Sequence, residues 1–378
     1  MKKHDLILES LSLVNFKNYD EAELSFSKSI NCFVGDNGSG KTNVLDAIHY
    51  LSMCKSYFNP IDSKNIMRDC LFFTIQGVFN KQDDHHKVHC AVRAGQKKIF
   101  KRNGKDYDRL ADHIGLFPSV VISPVDADLI AEGSEVRRKL IDGIISQDNR
   151  SYLDHLIAYN RALQQRNNLL KHFAAERRFD RESLDIWTEK LVEHGAPIFE
   201  LRKHFISEFR PLVEQIYREI SGNAEPAEVK YISGLHETDL QAILEKSVDA
   251  DRRAQRTTAG IHKDDLEFEI NHFPVKRFGS QGQQKSFLIA LKLAHFEYIK
   301  KSTGVTPILL LDDIFDKIDD KRVAHLMELV STHHFGQTFI SDTHQTRVPD
   351  LFQAIDSEVK VFQVSKGTCQ EVMHQAHG

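Results

Sequence analysis

The stretch Gly35 to Thr42, GDNGSGKT, narrows what this chain can fold into more than any other. It follows the apolar run Ile30, Cys32, Phe33, Val34 and leads into Asn43 to Met53, so it reads as strand, glycine-rich loop and helix. Glycines at 35, 38 and 40 let the backbone turn its N–H groups inward around phosphate oxygens, and the start of the following helix adds a favourable dipole. Lys41 supplies a point charge for the β- and γ-phosphates of a nucleotide, and the Thr42 hydroxyl one coordination position for Mg²⁺. The candidate phosphate-binding set is therefore Gly35, Asp36, Asn37, Gly38, Ser39, Gly40, Lys41, Thr42 and Asn43. The bland alternative is a glycine-rich turn beside an ordinary exposed lysine.

With 378 residues, 41% hydrophobic and 28% charged, the chain suits a soluble globular protein of two or three lobes. Its apolar runs, such as Ile308 to Leu311, are far shorter than the roughly 20 residues of a membrane helix. The start, MKKHDLILES, carries two lysines but no apolar export segment, so a cytoplasmic protein is expected. The five cysteines are scattered and form no CxxC pair, which argues for reduced thiols rather than disulfides or zinc. His85, His86 and His89 read as a polar hairpin rather than a metal site.

The formal net charge of −4 does not announce a nucleic-acid binder, but local clusters do more. They are Lys97, Lys98, Lys101, Arg102, Lys105 and Arg109; Arg137, Arg138 and Lys139; Arg161, Arg166 and Lys171; Arg177, Arg178 and Arg181; and Arg252, Arg253 and Arg256. Such runs are either solvated faces or a surface that tracks phosphates.

Alternation of apolar residues from 6 to 34 predicts paired strands feeding the loop, and residues 71 to 109 a β-meander with a tight turn at Asn103-Gly104. Ser151 to Phe173 is helical in pattern. A longer helical repeat follows from Leu184 to Ile216, with Pro197 and Pro211 as expected kinks and a span of roughly 50 Å. Asp251 to Lys263 reads as a basic, mobile connection, and Ser357 to Met373 as edge strands. His325 to Val330 reads as helix.

Two further stretches carry chemistry. Ile308 to Leu311 precedes Asp312-Asp313, which places both carboxylates at the C-terminal end of a buried parallel strand, where α/β folds hold ligands. Asp312 is then placed to hold Mg²⁺, directly or through water, and Asp313 to orient or deprotonate an attacking water. Ser280, Gln281, Gly282 and Gln283 precede an apolar helix: either a second phosphate-facing helix start or an N-cap with Gln283 closing a capping box.

These pieces, in this order and with a last core strand ending near His344, resemble the ABC-type ATPase head shared with SMC proteins. Finer strings resemble one branch, the RecF family: NFKNY at 15–19, GDNGSGKTNVLDAI at 35–48, SP-x-D with GS-x-x-RR at 123–138, YNRALQQRNNLLK at 159–171, GIHKDD at 260–265 and FGSQGQQKS at 278–286. The resemblance implies an α/β fold, an ABC-type P-loop head of mixed and parallel sheets with a short helical arm lobe. It divides the chain into head residues 1–145, arm residues 146–255 and head residues 256–378. It implies ATP and Mg²⁺ as ligands, Lys17 and Asn18 beside the adenine, and Ser280 to Gln283 closing over the γ-phosphate held by a second copy. It implies an ATP-driven homodimer that binds DNA at single-strand gaps and duplex junctions and, with RecR and RecO, promotes RecA loading in repair, replication and the SOS response. An SMC-like ATPase of another DNA-maintenance or defence pathway is the alternative. A nuclease-coupled ATPase would need a separate acidic metal site, and an SMC tether far more coiled coil than the arm offers.

The sequence departs from the family at several points. No glutamine stands in 123–128, Ile261 and Lys263 replace the commoner Pro and Arg, and DTH at 342–344 leaves open whether Thr343 or His344 reaches the γ-phosphate. Asp313 stands where many relatives of the head carry Glu, and its shorter reach suits a weak, DNA-stimulated ATPase acting as a switch. Steady-state ATP hydrolysis is expected below about 10 s⁻¹ with or without DNA, the median turnover of enzymes; a faster rate would contradict the timed-clamp expectation.

Overall fold

The structure, a computed structural model, describes residues 6–222, 225–314, 335–344 and 358–372. The chain falls into two units, Met1–Asp126 with Leu291–Gly378, and Ala127–Ala290. The second unit is wider than the arm expected over 146–255, because the segments flanking the long helices pack with them.

In the first unit, β1 (Leu6–Phe16) buries Leu6, Leu8, Leu11 and Leu13 on one face. The step from 8 to 11 breaks strict alternation, and a register shift between Leu8 and Ser10 restores the inward face. The backbone at this irregularity is satisfied by a buried side chain: Gln337 Oε1 accepts from Leu8 N at 2.7 Å, and its Nε2 donates to Leu8 O and Ser27 O, both at 2.8 Å. β2 (Tyr19–Ser25) pairs antiparallel with β1, and β3 (Ile30–Val34) leads through the glycine-rich loop to α1 (Lys41–Met53). The expected meander follows as β4 (Phe72–Lys81), β5 (Asp84–Arg93), β6 (Ile99–Arg102) and β7 (Lys105–Asp106), completing an antiparallel sheet of order β2-β1-β4-β5-β6-β7. Asn103 (φ 51°) and Gly104 (φ 79°) form the predicted turn. β8 (Ser119–Ile122) is an edge strand of the second sheet, to which β3 also belongs.

In the second unit, α2 (Asp128–Ala131) and α3 (Ser134–Asp148) precede the long hairpin of α4 (Arg150–Glu176) and α5 (Arg181–Ser221). Asn149 and Asp180 cap these two long helices, accepting from Tyr152 N and Ser183 N. At 41 residues α5 runs through both prolines and is longer than expected, about 60 Å at 1.5 Å per residue. β9 (Ala227–Ile232), α6 (Leu240–Ala254), β10 (Asp265–Ile270), β11 (Phe273–Pro274) and α7 (Val275–Phe278) follow, with sheet order β11-β10-β9. The mobile connection expected at 251–263 is corrected here. Asp251 ends inside α6 and is fully buried, and Thr257, Gly260 and Ile261 are buried too. Asp251 pairs with Arg166 at 2.7 Å and accepts from Thr258 N and Oγ1, so this basic segment is ordered by a carboxylate at its start.

α8 (Gln281–Thr303) crosses from the second unit into the first, where β12 (Ile308–Asp312), β13 (Thr338–Asp342), β14 (Val359–Ser365) and β15 (Thr368–Val372) finish the second sheet. Its order is β15-β14-β3-β13-β12-β8, parallel except for β15. The expectation of edge strands at the tail holds for β15 alone, since β14 lies between β15 and β3. The expected helix at 325–330 lies outside the described residues.

α1 joins both sheets to one core. It is buried almost all round, Val44, Leu45, Ile48, Tyr50 and Leu51 lying among side chains of β1, β4, β5, β13 and β14. All five cysteines are free thiols.

Two of the basic clusters also change meaning. Arg166 is fully buried, and Arg137 forms a two-bond pair with Asp265 at 2.7 and 3.0 Å, so neither guanidinium is open to a phosphate. Arg202 is likewise buried between Asp142 (2.8 Å) and Asp264 (3.1 Å), and burial raises the Asp264 pKa against the pull of its hydrogen bonds from Tyr231 and Ser233 and of Arg202. Arg202→Met removes the cation and strands a buried carboxylate; it is expected to cost about 3–5 kcal/mol, read as a lower urea midpoint. An unchanged midpoint would contradict this account of the second unit.

Candidate nucleotide-binding site

The loop between β3 and α1 needs glycine for steric reasons at two positions. Gly35 (φ 155°) would bring a Cβ within 2.2 Å of Val364 O, and Gly40 (φ 122°) within 2.6 Å of the Asn18 side chain. Asn18 is the loop's brace: its Nδ2 donates to Ser39 O at 2.9 Å, and its Oδ1 accepts from Asn43 Nδ2 at 2.7 Å. The Tyr19 hydroxyl donates to Gly40 O at 3.2 Å. Asp36, Asn37 and Gly38 form the exposed rim, while Ser39 is buried and its hydroxyl has no hydrogen-bond partner. An orphan hydroxyl in a loop of this shape fits an oxyanion.

Lys41 is 6% exposed, and its ammonium donates to Gly35 O at 2.7 Å and Asp36 O at 2.9 Å. Burial lowers its pKa, opposed by the carboxylates of Asp313, Asp312, Asp342 and Asp36. The end of β12 thus lies in the electrostatic reach of the loop, as the sequence predicted. Asp312 is 4% exposed and accepts three hydroxyls: Thr42 Oγ1 and Ser341 Oγ on Oδ1, each at 2.8 Å, and Ser123 Oγ on Oδ2 at 3.2 Å. Its pKa is raised by burial, against these three hydrogen bonds and Lys41. Hard oxygen donors from Thr42 and Asp312, side by side, are a donor set that suits Mg²⁺. Asp313 is partly exposed, stands in the left-handed region (φ 48°), and its N–H donates to Ser341 Oγ at 2.9 Å. His344 follows β13, exposed, its N–H donating to Asp342 Oδ1 at 3.0 Å; Thr343 is partly exposed.

Sequence reasoning missed Ser123 and Ser341. Ser341 stands on the strand between those of the loop and of Asp312, so it hydrogen-bonds Asp312 and Asp313 together. Ser123 directly follows β8, the strand beside β12, and is the first residue of the glutamine-free segment 123–128. Asp126, in the first turn of the short helix Pro124–Ala127, is 4% exposed: it accepts from Ser123 N at 2.8 Å and Tyr57 Oη, and pairs with Lys292 at 2.9 Å.

Lys17 sits at a positive φ (54°) in the turn between β1 and β2, and its ammonium lies 2.6 Å from Asp46 Oδ2 and over the rings of Phe16 and Phe58. Asp46 is fully buried on α1 and also accepts from Ser56 Oγ and Tyr57 N. As a string, NFKNY is a turn with an exposed lysine and gives no sign of this partner.

In the second unit, Ser280 and Gln283 form the capping box: Gln283 N donates to Ser280 Oγ at 3.2 Å, and Ser280 N to Gln283 Oε1 at 2.8 Å. Ser280 and Gln281 are exposed and Gly282 partly so, which leaves the start of α8 accessible within its unit. Elsewhere Glu228, Glu269 and His272 cluster, but Lys230 Nζ already lies 2.6 Å from Glu269 Oε2.

Comparison with known proteins follows the same lines. The profile of the family described as RecF/RecN/SMC N terminal domain matches residues 7–370. A Flavobacterium johnsoniae protein named DNA replication and repair protein RecF is 52% identical over 355 residues, covering 94% of this chain and 99% of the relative. A protein of the same name from Phocaeicola vulgatus is 48% identical over 368 residues, covering 97% and 98%. Among solved structures, the recombination mediator protein RecF-ATP of the RecFOR pathway is similar with a TM-score of 0.89 at 28% identity, covering 98% of this chain and 99% of that one. An Smc head domain with an extended coiled coil, bound to the C-terminal domain of ScpA and derived from Pyrococcus furiosus, has a TM-score of 0.57 at 19% identity, covering 97% and 96%, and shares the fold alone. The expected fold class, an α/β ATPase-type head with helices and mixed sheets, is the one these chains have.

The Lys17 geometry yields a direct test. Lys17→Met leaves Asp46 buried without its cation and is expected to cost about 1.5–3 kcal/mol, the usual worth of a charged hydrogen bond, read by thermal melting without nucleotide. A melt identical to the wild type's would show that the ammonium does not support the helix.

Proposed function

Because this chain belongs to the RecF/RecN/SMC family and, within it, to the RecF proteins, we propose that it is an ATP-dependent DNA-binding protein of recombinational repair and replication, in which two copies close around two ATP molecules. The supporting observation is that Thr42 and Asp312, 270 residues apart in sequence, meet at 2.8 Å beside a glycine loop whose Ser39 hydroxyl lacks a partner.

Gly35 to Asn43 would hold the phosphates through backbone N–H groups, with Lys41 neutralising charge at the β- and γ-positions. Thr42 and Asp312 would hold Mg²⁺, which supplies charge neutralisation on the triphosphate when bound. Asp313, its backbone held by Ser341, would orient the attacking water. Lys17 and Asn18 would border the adenine, acting through the turn and loop they brace. His344 or Thr343 would sense the γ-phosphate. Ser280, Gln281, Gly282 and Gln283 would complete the site of a second copy, a role that the exposure of Ser280 supports. The lobes 1–145 and 256–378 would then act as the head and 146–255 as the arm.

Closure of two heads would align basic clusters into one DNA-binding face for gaps and duplex junctions. RecR and RecO would act with this clamp to place RecA, and slow hydrolysis would reset it in the cytoplasm, near the nucleoid. No described helix is long and apolar enough to cross a membrane.

Sedimentation velocity with ATP and a short gapped duplex tests the reading. Wild type is expected to shift to a dimer with DNA, and both Lys41→Ala and Ser280→Arg to remain monomeric. Dimerisation of Ser280→Arg at the wild-type ATP concentration would refute the shared site, and DNA binding indifferent to salt would refute the basic face.

A further inference from the structure

The second unit carries a cavity of about 440 Å³ where the turn between α4 and α5 meets the end of α6. Its apolar lining is Leu170, Phe173 and Phe179, and its rim carries Arg177, Arg178 and Arg253. Leu170 belongs to a small core with Leu184 and Val248, so the floor is fixed by packing. The rim is fixed by backbone: Arg177 takes the left-handed C-cap of α4 (φ 48°), which turns the chain so that Phe179 folds back against Phe173, edge to face with centroids 5.5 Å apart.

All three rim arginines are exposed, and among the described residues no carboxylate lies within ion-pair distance of any of them. Arg252 differs: its guanidinium lies 4.2 Å from the Phe179 ring and 3.7 Å from Asp249. Complementing the dipole of a helix end accounts for Arg252 and Arg253 in the last turn of α6. It accounts neither for Arg178, beyond the end of α4, nor for an apolar hollow between the arginines.

We propose that this cavity is a docking site for an acidic peptide segment of a partner protein, with one large apolar side chain entering the hollow and flanking carboxylates pairing with Arg177, Arg178 and Arg253. Charge complementarity selects the occupant. The site concentrates positive charge in a chain whose net charge is −4, and guanidinium forks match carboxylates in pairs. The volume lies in the range of pockets that enclose a ligand group, and an aromatic or aliphatic anchor is the usual source of binding energy in such a hollow. Single-stranded nucleic acid fits less well. Base stacking needs open aromatic faces, whereas Phe179 already carries Arg252 and packs against Phe173. This assignment withdraws Arg177, Arg178 and Arg253 from the DNA-facing clusters and does not depend on the nucleotide site.

Fluorescence anisotropy of the full chain with a labelled peptide of glutamates around one central phenylalanine tests the proposal. Saturable binding is expected, weakened at least tenfold when glutamines replace the glutamates, when alanine replaces the phenylalanine, or when the protein carries Arg178→Glu with Arg253→Glu. Thermal melting checks that the double variant folds, and the altered peptides test the site on unaltered protein. Absence of saturable binding, or equal binding of the glutamine peptide, would overturn the proposal. So would an oligothymidylate whose binding the double substitution abolishes while peptide binding stays unmoved, which would assign the cavity to nucleic acid.

Discussion

The buried carboxylate of Asp312 ties the candidate site together. Three hydroxyls from three different segments converge on it: Thr42 from the start of α1, Ser341 from β13 and Ser123 from directly after β8. A carboxylate with so little exposure is costly unless its oxygens are bonded, and here every bond also fixes a segment in place. The same Ser341 hydroxyl accepts from the Asp313 backbone, so the two acids are set relative to each other through one side chain. Lys41, also buried, sits within the field of these carboxylates and raises the stakes of every charge in the site.

This arrangement holds only because α1 does not move freely. Its residues are buried on nearly every side between the two sheets of the first unit, and Asp46 anchors it further through Lys17, Ser56 and the Tyr57 backbone. The phosphate loop is therefore suspended between a rigid strand and a rigid helix, braced on its outer side by Asn18. Such preorganisation spares a bound anion the cost of ordering its own cradle.

Periodicity and motif chemistry made much of this legible. The loop, the meander, the long helical hairpin and the acidic strand end all follow from local pattern, and glycines 35 and 40 are required by the contacts a side chain would meet. Partners distant in sequence were not legible. Nothing around Lys17 points to Asp46, and Arg166 and Arg137 look like surface charges until Asp251 and Asp265 come to them through the fold. The segment from 251 to 263 failed for the same reason: its arginines and threonines read as loop, while its order comes from a buried Asp251 bonded to Arg166 and Thr258. Ser123 and Ser341 are small polar residues at strand ends, a position where many serines do nothing, and only the strand order shows what they touch.

If the triphosphate of one copy is completed by α8 of another, damage to the two halves of a site must complement when it is divided between molecules. The direct measurement is ATP hydrolysis in an equimolar mixture of Lys41→Ala protein with Ser280→Arg protein, each inactive alone. Mixed pairs then contain one site with both an intact Lys41 and an intact Ser280, so the mixture is expected to regain partial hydrolysis. A mixture as inactive as its components, or a Ser280→Arg protein that hydrolyses ATP unaided at the wild-type rate, would contradict the account.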